Sequence, residues 1–266
     1  TLGSYDIGTI TDMSLYTDTL ERLKKFDRST LSDSQQLTYD QLLMYLNNEL
    51  ANSSLYLYGS QITPTTGIQV SLPIIFAEYS FNSRTDIDNY IELIRQTDEY
   101  FKELVEFEKL RAAKGLFMED SIANKVIDQC NTFLEANASN SEDSLLVSTF
   151  AQRIDSMKDI TAEDKASLKA ANKKALAENL YPAYTNLAKE LTALKGTNSY
   201  KGGLANYPDG KKYYEYLLKS DLGWSKSVDE LNTLLDKYIN LSMLQITALV
   251  TKDSKLADKF STFSFP

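Results

Sequence analysis

The chain has 266 residues, 42% of them hydrophobic and 24% charged, an ordinary globular composition that can bury a sizeable core. Lys and Arg number 28 against 37 Asp and Glu, and the net charge of −9, with no dense basic patch, disfavours nucleic acid as a partner. There is no histidine. That removes the commonest nitrogen ligand of zinc and the usual general base of serine and cysteine hydrolases, leaving an isolated Asp/Glu site or a Ser-Lys pair, for neither of which a motif is present.

The first residues, "TLGSYDIGTI", lack an initiator Met and the basic and apolar regions of a signal peptide, so the chain reads as processed or excised from a longer one. Two helices are expected at about 11–26 and 33–57, the second capped by Ser32 or Asp33 and bearing Leu37, Leu42, Leu43, Leu46 and Leu50. From 59 to 81 periodicity fails. "GSQITPTTGIQVSLPIIFAEYSF" mixes Pro, Gly and β-branched residues, and is expected to be an ordered irregular segment with a short strand at Ile68 to Ser71. Its apolar run from Leu72 to Ala77 is far shorter than the roughly 20 residues that cross a bilayer. No transmembrane segment is expected, and the chain itself is expected to be soluble.

Between residues 83 and 195 the only Gly and Pro are Gly115 and Pro182, so this stretch is helical territory. Ile87, Ile91, Ile94, Phe101, Leu104 and Val105 form one amphipathic stripe from about Thr85 to a stop at Gly115. A second helix starts near Asp120 and turns Ile122, Val126, Cys130 and Phe133 inward, which makes the lone Cys130 a packed core thiol. Another helix covers 142–157. "TAED" at Thr161 to Asp164 resembles a capping box, and opens a long helix carrying Leu168, Leu176, Leu180, Tyr184, Leu187, Leu191 and Leu194 on one side. Pro182 removes a backbone donor inside that pattern, so a kink or break is expected near Leu180 and Tyr181. Ser227 and Glu230 form a capping box for a helix to about Val250, and a short helix near Asp253 to Phe260 precedes "STFSFP". The fold class is all-α, a multi-helix array of mainly antiparallel helices, read as a single helical domain over 1–266.

Several motifs fail on spacing. Asp86-Ile-Asp88-Asn89 lacks the Gly at position six and the acidic residue at position twelve of a calcium loop, and reads as acidic residues in a first helical turn. The charges of "EYFKELVEFEKLRAAKG" form a solvated face held by pairs three and four apart. In "GLANYPDGKKYYEYLL", six residues separate Gly203 from Gly210 and Lys211 is followed by Lys212, so no phosphate-binding loop is formed. A turn at Pro208-Asp209-Gly210 followed by a short helix remains. The tyrosines around it suit either a cleft wall or a half-buried helix face. The Asn-x-Ser sites at Asn52, Asn137 and Asn240 are expected by chance.

"GIQVSLPIIFAEYSF", the run from Asp86 to Cys130, "YPAYTNLAKEL" and "GLANYPDGKKYYEYLL", in this order, resemble the N-terminal half of the bacterial domain-of-unknown-function 885 family (DUF885) over roughly residues 12–240. The resemblance implies a relation to helical zinc metallopeptidases that are longer than this chain, often exported or lipid-anchored, with a His-Glu-x-x-Pro-Gly-His type motif in a C-terminal half. No residue here matches that motif, so no metal ligand or catalytic residue is carried over.

The expectation is therefore an N-terminal, substrate-cleft portion, without cofactor and inactive alone, whose zinc would come with the missing C-terminal half. That half is its first expected partner and a peptide substrate its second. Tyr207, Lys211, Tyr213 and Tyr214 are the candidate substrate contacts, and the 59–81 and 203–218 segments are expected to face the cleft. Under the same reading, helices near 228–260 should keep an exposed apolar face. The alternative is a non-catalytic extracytoplasmic binding or interaction module.

Overall fold

The computed structural model describes residues 1–137 and 140–262, and among these the regular structure is helical, with no strand. Its contacts fall into a first unit, Thr1–Tyr213, and a second that begins at Tyr214. Ser139, which completes the Asn137 site, and all but the first two residues of "STFSFP" lie outside the described residues.

In the first unit, α1 (Ile7–Thr11) and α2 (Ser14–Leu23) precede α3 (Asp33–Asn52). Ser32 caps α3 through a complete capping box with Gln35, which satisfies donors that a helix start otherwise leaves open. Of the leucines expected along α3, only Leu46 is buried, while Leu37 and Leu42 are exposed. A 3₁₀ turn, Ser53–Tyr58, then leads into an irregular stretch at 59–67.

The expected strand at Ile68 to Ser71 is absent: α4 runs Ile68–Glu78 straight through Pro73. Burial of Leu72, Pro73 and Phe76 outweighs the poor helix propensity of its β-branched residues. Pro73 cannot donate to the Gln69 carbonyl, but the Tyr184 hydroxyl does so, at 2.8 Å. The irregular stretch is tied to α4 through Gln69, whose Nε2 donates to the Thr63 carbonyl at 2.7 Å and to Gln129 Oε1 at 3.1 Å.

The single helix expected from Thr85 to Gly115 is two, α5 (Arg84–Arg95) and α6 (Thr97–Ala113). Thr97 is fully buried and its hydroxyl donates to the Leu93 carbonyl four residues back, a bond that competes with the backbone ladder and bends helices. The expected stripe is nonetheless buried throughout. α7 (Asp120–Asn137) buries Val126 and Cys130, and α8 (Leu145–Ser156) packs on α9 (Ala162–Ala175), which Thr161 caps through the Asp164 N–H at 3.1 Å. The break foreseen near Leu180 is one π-helical turn, Leu176–Leu180, ahead of α10 (Tyr181–Leu194). The Tyr181 N–H reaches back five residues to Leu176, a wider turn that accommodates the missing N–H of Pro182. α10 packs on α6 and α7, with Tyr184 between Phe101 and Phe133 at ring-centre distances of 5.1 and 4.4 Å.

A 3₁₀ turn, Leu204–Asn206, precedes α11 (Gly210–Leu222), within which the second unit begins. That unit continues with α12 (Val228–Lys252), opened by the expected Ser227–Glu230 capping box, and α13 (Ser254–Thr262). No described side chain of α12 is buried, and Leu235, Tyr238, Ile239, Met243, Leu244 and Leu249 stand exposed.

Candidate functional site

The first unit holds a cavity of about 500 Å³ where three stretches of chain meet. Tyr58, Ser60, Ile62 and Thr63 come from the end of the 3₁₀ turn and the irregular stretch after α3. Arg111 comes from the last turn of α6, Met118 and Glu119 from the approach to α7, and Ile122 from its first turn. Gly202, Gly203, Leu204, Tyr207 and Tyr213 complete the lining from the segment that closes the first unit.

Local chemistry explains how the last segment reaches the others. The Gly202 N–H donates to Glu119 Oε1 at 2.7 Å, the Ser199 N–H to the Gly115 carbonyl at 3.0 Å, and the Asn198 amide to Phe117 O. Gly210 lies against the Leu204 backbone so closely that a Cβ there would fall 1.7 Å from the Leu204 carbonyl oxygen. Gly59 receives the Tyr213 ring tip, since a Cβ there would fall 2.7 Å from Tyr213 Oη.

Tyr58 is the hub of an aromatic cluster, 6.1 Å from Tyr207 and 5.7 Å from Tyr213 between ring centres, with Tyr200 a further 5.7 Å beyond Tyr207. Its hydroxyl accepts from the Asp209 N–H at 3.1 Å, and partial burial pushes that hydroxyl above the ordinary tyrosine value, the N–H bond opposing the shift and the Asp209 carboxylate adding to it. Arg111 of the lining forms an ion pair with Glu108 at 2.6 Å, the two side chains being 5% and 1% exposed. Ser60 Oγ donates to the other Glu108 oxygen at 2.6 Å, and Arg111 Nε donates to the Leu57 carbonyl at 2.9 Å. Burial pushes the Glu108 carboxyl upward, while Arg111 and Ser60 pull it the other way.

Of the residues singled out from sequence, the structure brings Tyr207 and Tyr213 together on this lining. Lys211 is exposed in the first turn of α11, and Tyr214, also exposed, belongs to the second unit; neither is in the lining. Sequence reading missed Tyr58, Ser60, Arg111 and Glu119. Arg111 was expected on the solvated face of "EYFKELVEFEKLRAAKG", but it is buried, because it pairs with the buried Glu108 and donates to the Leu57 carbonyl. Among the described residues, no three His, Cys, Asp or Glu side chains lie close enough to hold a metal ion. No helix among them is long and apolar enough to cross a membrane.

The model of the family described as "Bacterial protein of unknown function (DUF885)" matches residues 9–255. The chain belongs to this family. No curated protein matches this DUF885 chain. Among solved structures it is similar to one described as "the putative lipoprotein from Colwellia psychrerythraea", with a TM-score of 0.64 and 19% identity. That match covers 73% of this DUF885 chain and 33% of the other, so the chain spans about a third of the length of the structure it matches, and the likeness is one of fold.

Proposed function

We propose that this DUF885 chain is the N-terminal, cleft-forming portion of a longer bacterial zinc metallopeptidase, and that its cavity receives part of a peptide substrate. The observation that carries the reading is the convergence of three separated stretches, two of them irregular and Gly-rich, on one cavity walled by Tyr58, Tyr207 and Tyr213. A volume of about 500 Å³, lined by apolar and aromatic side chains with a few polar groups, suits a small ligand or a short piece of peptide. The tyrosine rings offer flat apolar faces with hydroxyl tips that can bond to peptide amides.

The residues of this chain do not fit zinc. It has no histidine, and its described acidic side chains do not gather in threes. In this reading the metal and its ligands belong to the remainder of the longer protein, and the chain alone is inactive. The exposed apolar side chains of α12 support such a remainder, because a row of this kind on a soluble surface marks an interaction site. The description of the similar structure as a lipoprotein supports an extracytoplasmic or lipid-anchored parent. It also supports the second reading, a non-catalytic extracytoplasmic binding module using the same cavity.

The test is a peptidase assay with quenched fluorescent peptides and added zinc, run on this chain and on the protein encoded by its parent reading frame. The first reading expects no turnover by the chain and chelator-sensitive turnover by a parent carrying a His-Glu-x-x motif. Turnover by the chain alone overturns both readings, and a parent without motif or turnover leaves the binding module.

A further inference from the structure

Arg111 is fixed on all sides but one. Its Nε donates to the Leu57 carbonyl and its Nη1 to Glu108, while Nη2 finds no acceptor among the described residues. The side chain is 5% exposed and is part of the cavity lining. A guanidinium keeps its charge, and with Nε and Nη1 already engaged, Nη2 is the nitrogen left for a ligand in the cavity. Glu119 stands in the same lining with Oε1 taken by the Gly202 N–H and Oε2 without a partner among the described residues. Ile62, Met118 and Ile122 supply apolar surface in the same lining.

We infer that the cavity binds the carboxylate end of a peptide whose last residue is apolar, with Arg111 Nη2 donating to the terminal carboxylate. The last amide N–H then donates to Glu119 Oε2, and the side chain rests on Ile62, Met118 and Ile122. A charge-assisted bond from a planar donor already held in place by Leu57 and Glu108 is what arginine serves better than lysine. The negative Glu119 in the same lining counts against a compact polyanion such as phosphate, which offers no donor to it. The inference rests on the reading of the cavity as a peptide site and narrows it to one end of the peptide.

The test titrates the full chain, followed by ¹⁵N–¹H spectra, with acetyl-Ala-Leu as the free acid, with the same dipeptide as its C-terminal amide, and with inorganic phosphate. The expected result is saturable shifts near Ile62, Glu119 and Gly203 with the acid, binding at least about tenfold weaker with the amide, and none with phosphate. Arg111→Gln should abolish the preference for the acid. Because that change also disturbs Glu108, Glu119→Gln serves as a second variant, expected to weaken the acid about tenfold while unfolding stays cooperative. Equal binding of acid and amide overturns the carboxylate assignment and leaves the peptide reading standing. Binding of neither dipeptide overturns both.

Discussion

The Tyr184 hydroxyl donates to the Gln69 carbonyl at 2.8 Å across 115 residues of sequence, and Gln69 is the residue whose carbonyl Pro73 leaves unserved. This one bond lets a proline stand inside a buried helix without an orphaned acceptor, and it ties α4 to α10 at the core. Tyr184→Phe should therefore cost about 1–3 kcal/mol by equilibrium denaturation, the range for stranding a buried acceptor. Pro73→Ala restores a backbone donor for Gln69, so in that background the cost of Tyr184→Phe should shrink. A double-mutant cycle with no coupling would contradict the account.

Much of the helical layout was legible because it rests on local chemistry. Ser227 with Glu230, Thr161 with Asp164, and the leucine stripe leading to Tyr184 all act within a few residues of sequence. α4 was not legible: its β-branched residues and Pro73 argue locally against helix, and what compensates, Tyr184, lies on another helix. The break at Gln96, between α5 and α6, was hidden for a similar reason, since the bond from the buried Thr97 hydroxyl to the Leu93 carbonyl leaves no mark on the apolar stripe. At the candidate site the tyrosine-rich segment announced itself by composition. Arg111 did not, because it is held by the Leu57 carbonyl and by Glu108, itself bonded to Ser60, and both Leu57 and Ser60 lie some fifty residues earlier in the chain.

Glu108 should leave a mark on the pH dependence of stability. Burial raises its carboxyl in the folded state, so the folded chain holds that proton more tightly than the unfolded chain does. The contribution is fully present below the ordinary carboxyl value and is lost as pH rises through the raised folded value. Glu108→Gln cannot titrate, so the stability of the wild type relative to this variant should fall with rising pH across that window. Urea midpoints measured from about pH 4 to pH 8 check this, and a constant difference would contradict it.

Two glycines that touch lining residues should respond differently to alanine. At Gly210 the new Cβ meets the Leu204 carbonyl, which is backbone and cannot step aside, so Gly210→Ala should destabilise by about 1–3 kcal/mol. At Gly59 it meets the Tyr213 hydroxyl, the end of a side chain that can rotate. Gly59→Ala should leave the melting temperature within a few degrees of wild type, at a cost below about 0.5–1 kcal/mol, while shifting the Tyr213 ring resonances.

Cys130 should be inert while the protein is folded. Its thiol is buried on α7, and burial pushes its pKa up to about 12, so almost no thiolate is available at neutral pH. An aromatic disulfide reagent should modify Cys130 only in denaturant. Prompt labelling of the native chain would show that the α7 face is open.

The central claim is that the cavity beside Tyr58, Tyr207 and Tyr213 is where this DUF885 chain meets peptide. Hydrogen–deuterium exchange of the full chain, with and without a saturating mixture of short peptides, tests it most directly. The account predicts slower exchange confined to the stretches around residues 58–63, 118–122 and 202–213. Protection that appears only on α3 or α12, or no protection anywhere at millimolar peptide, would contradict it.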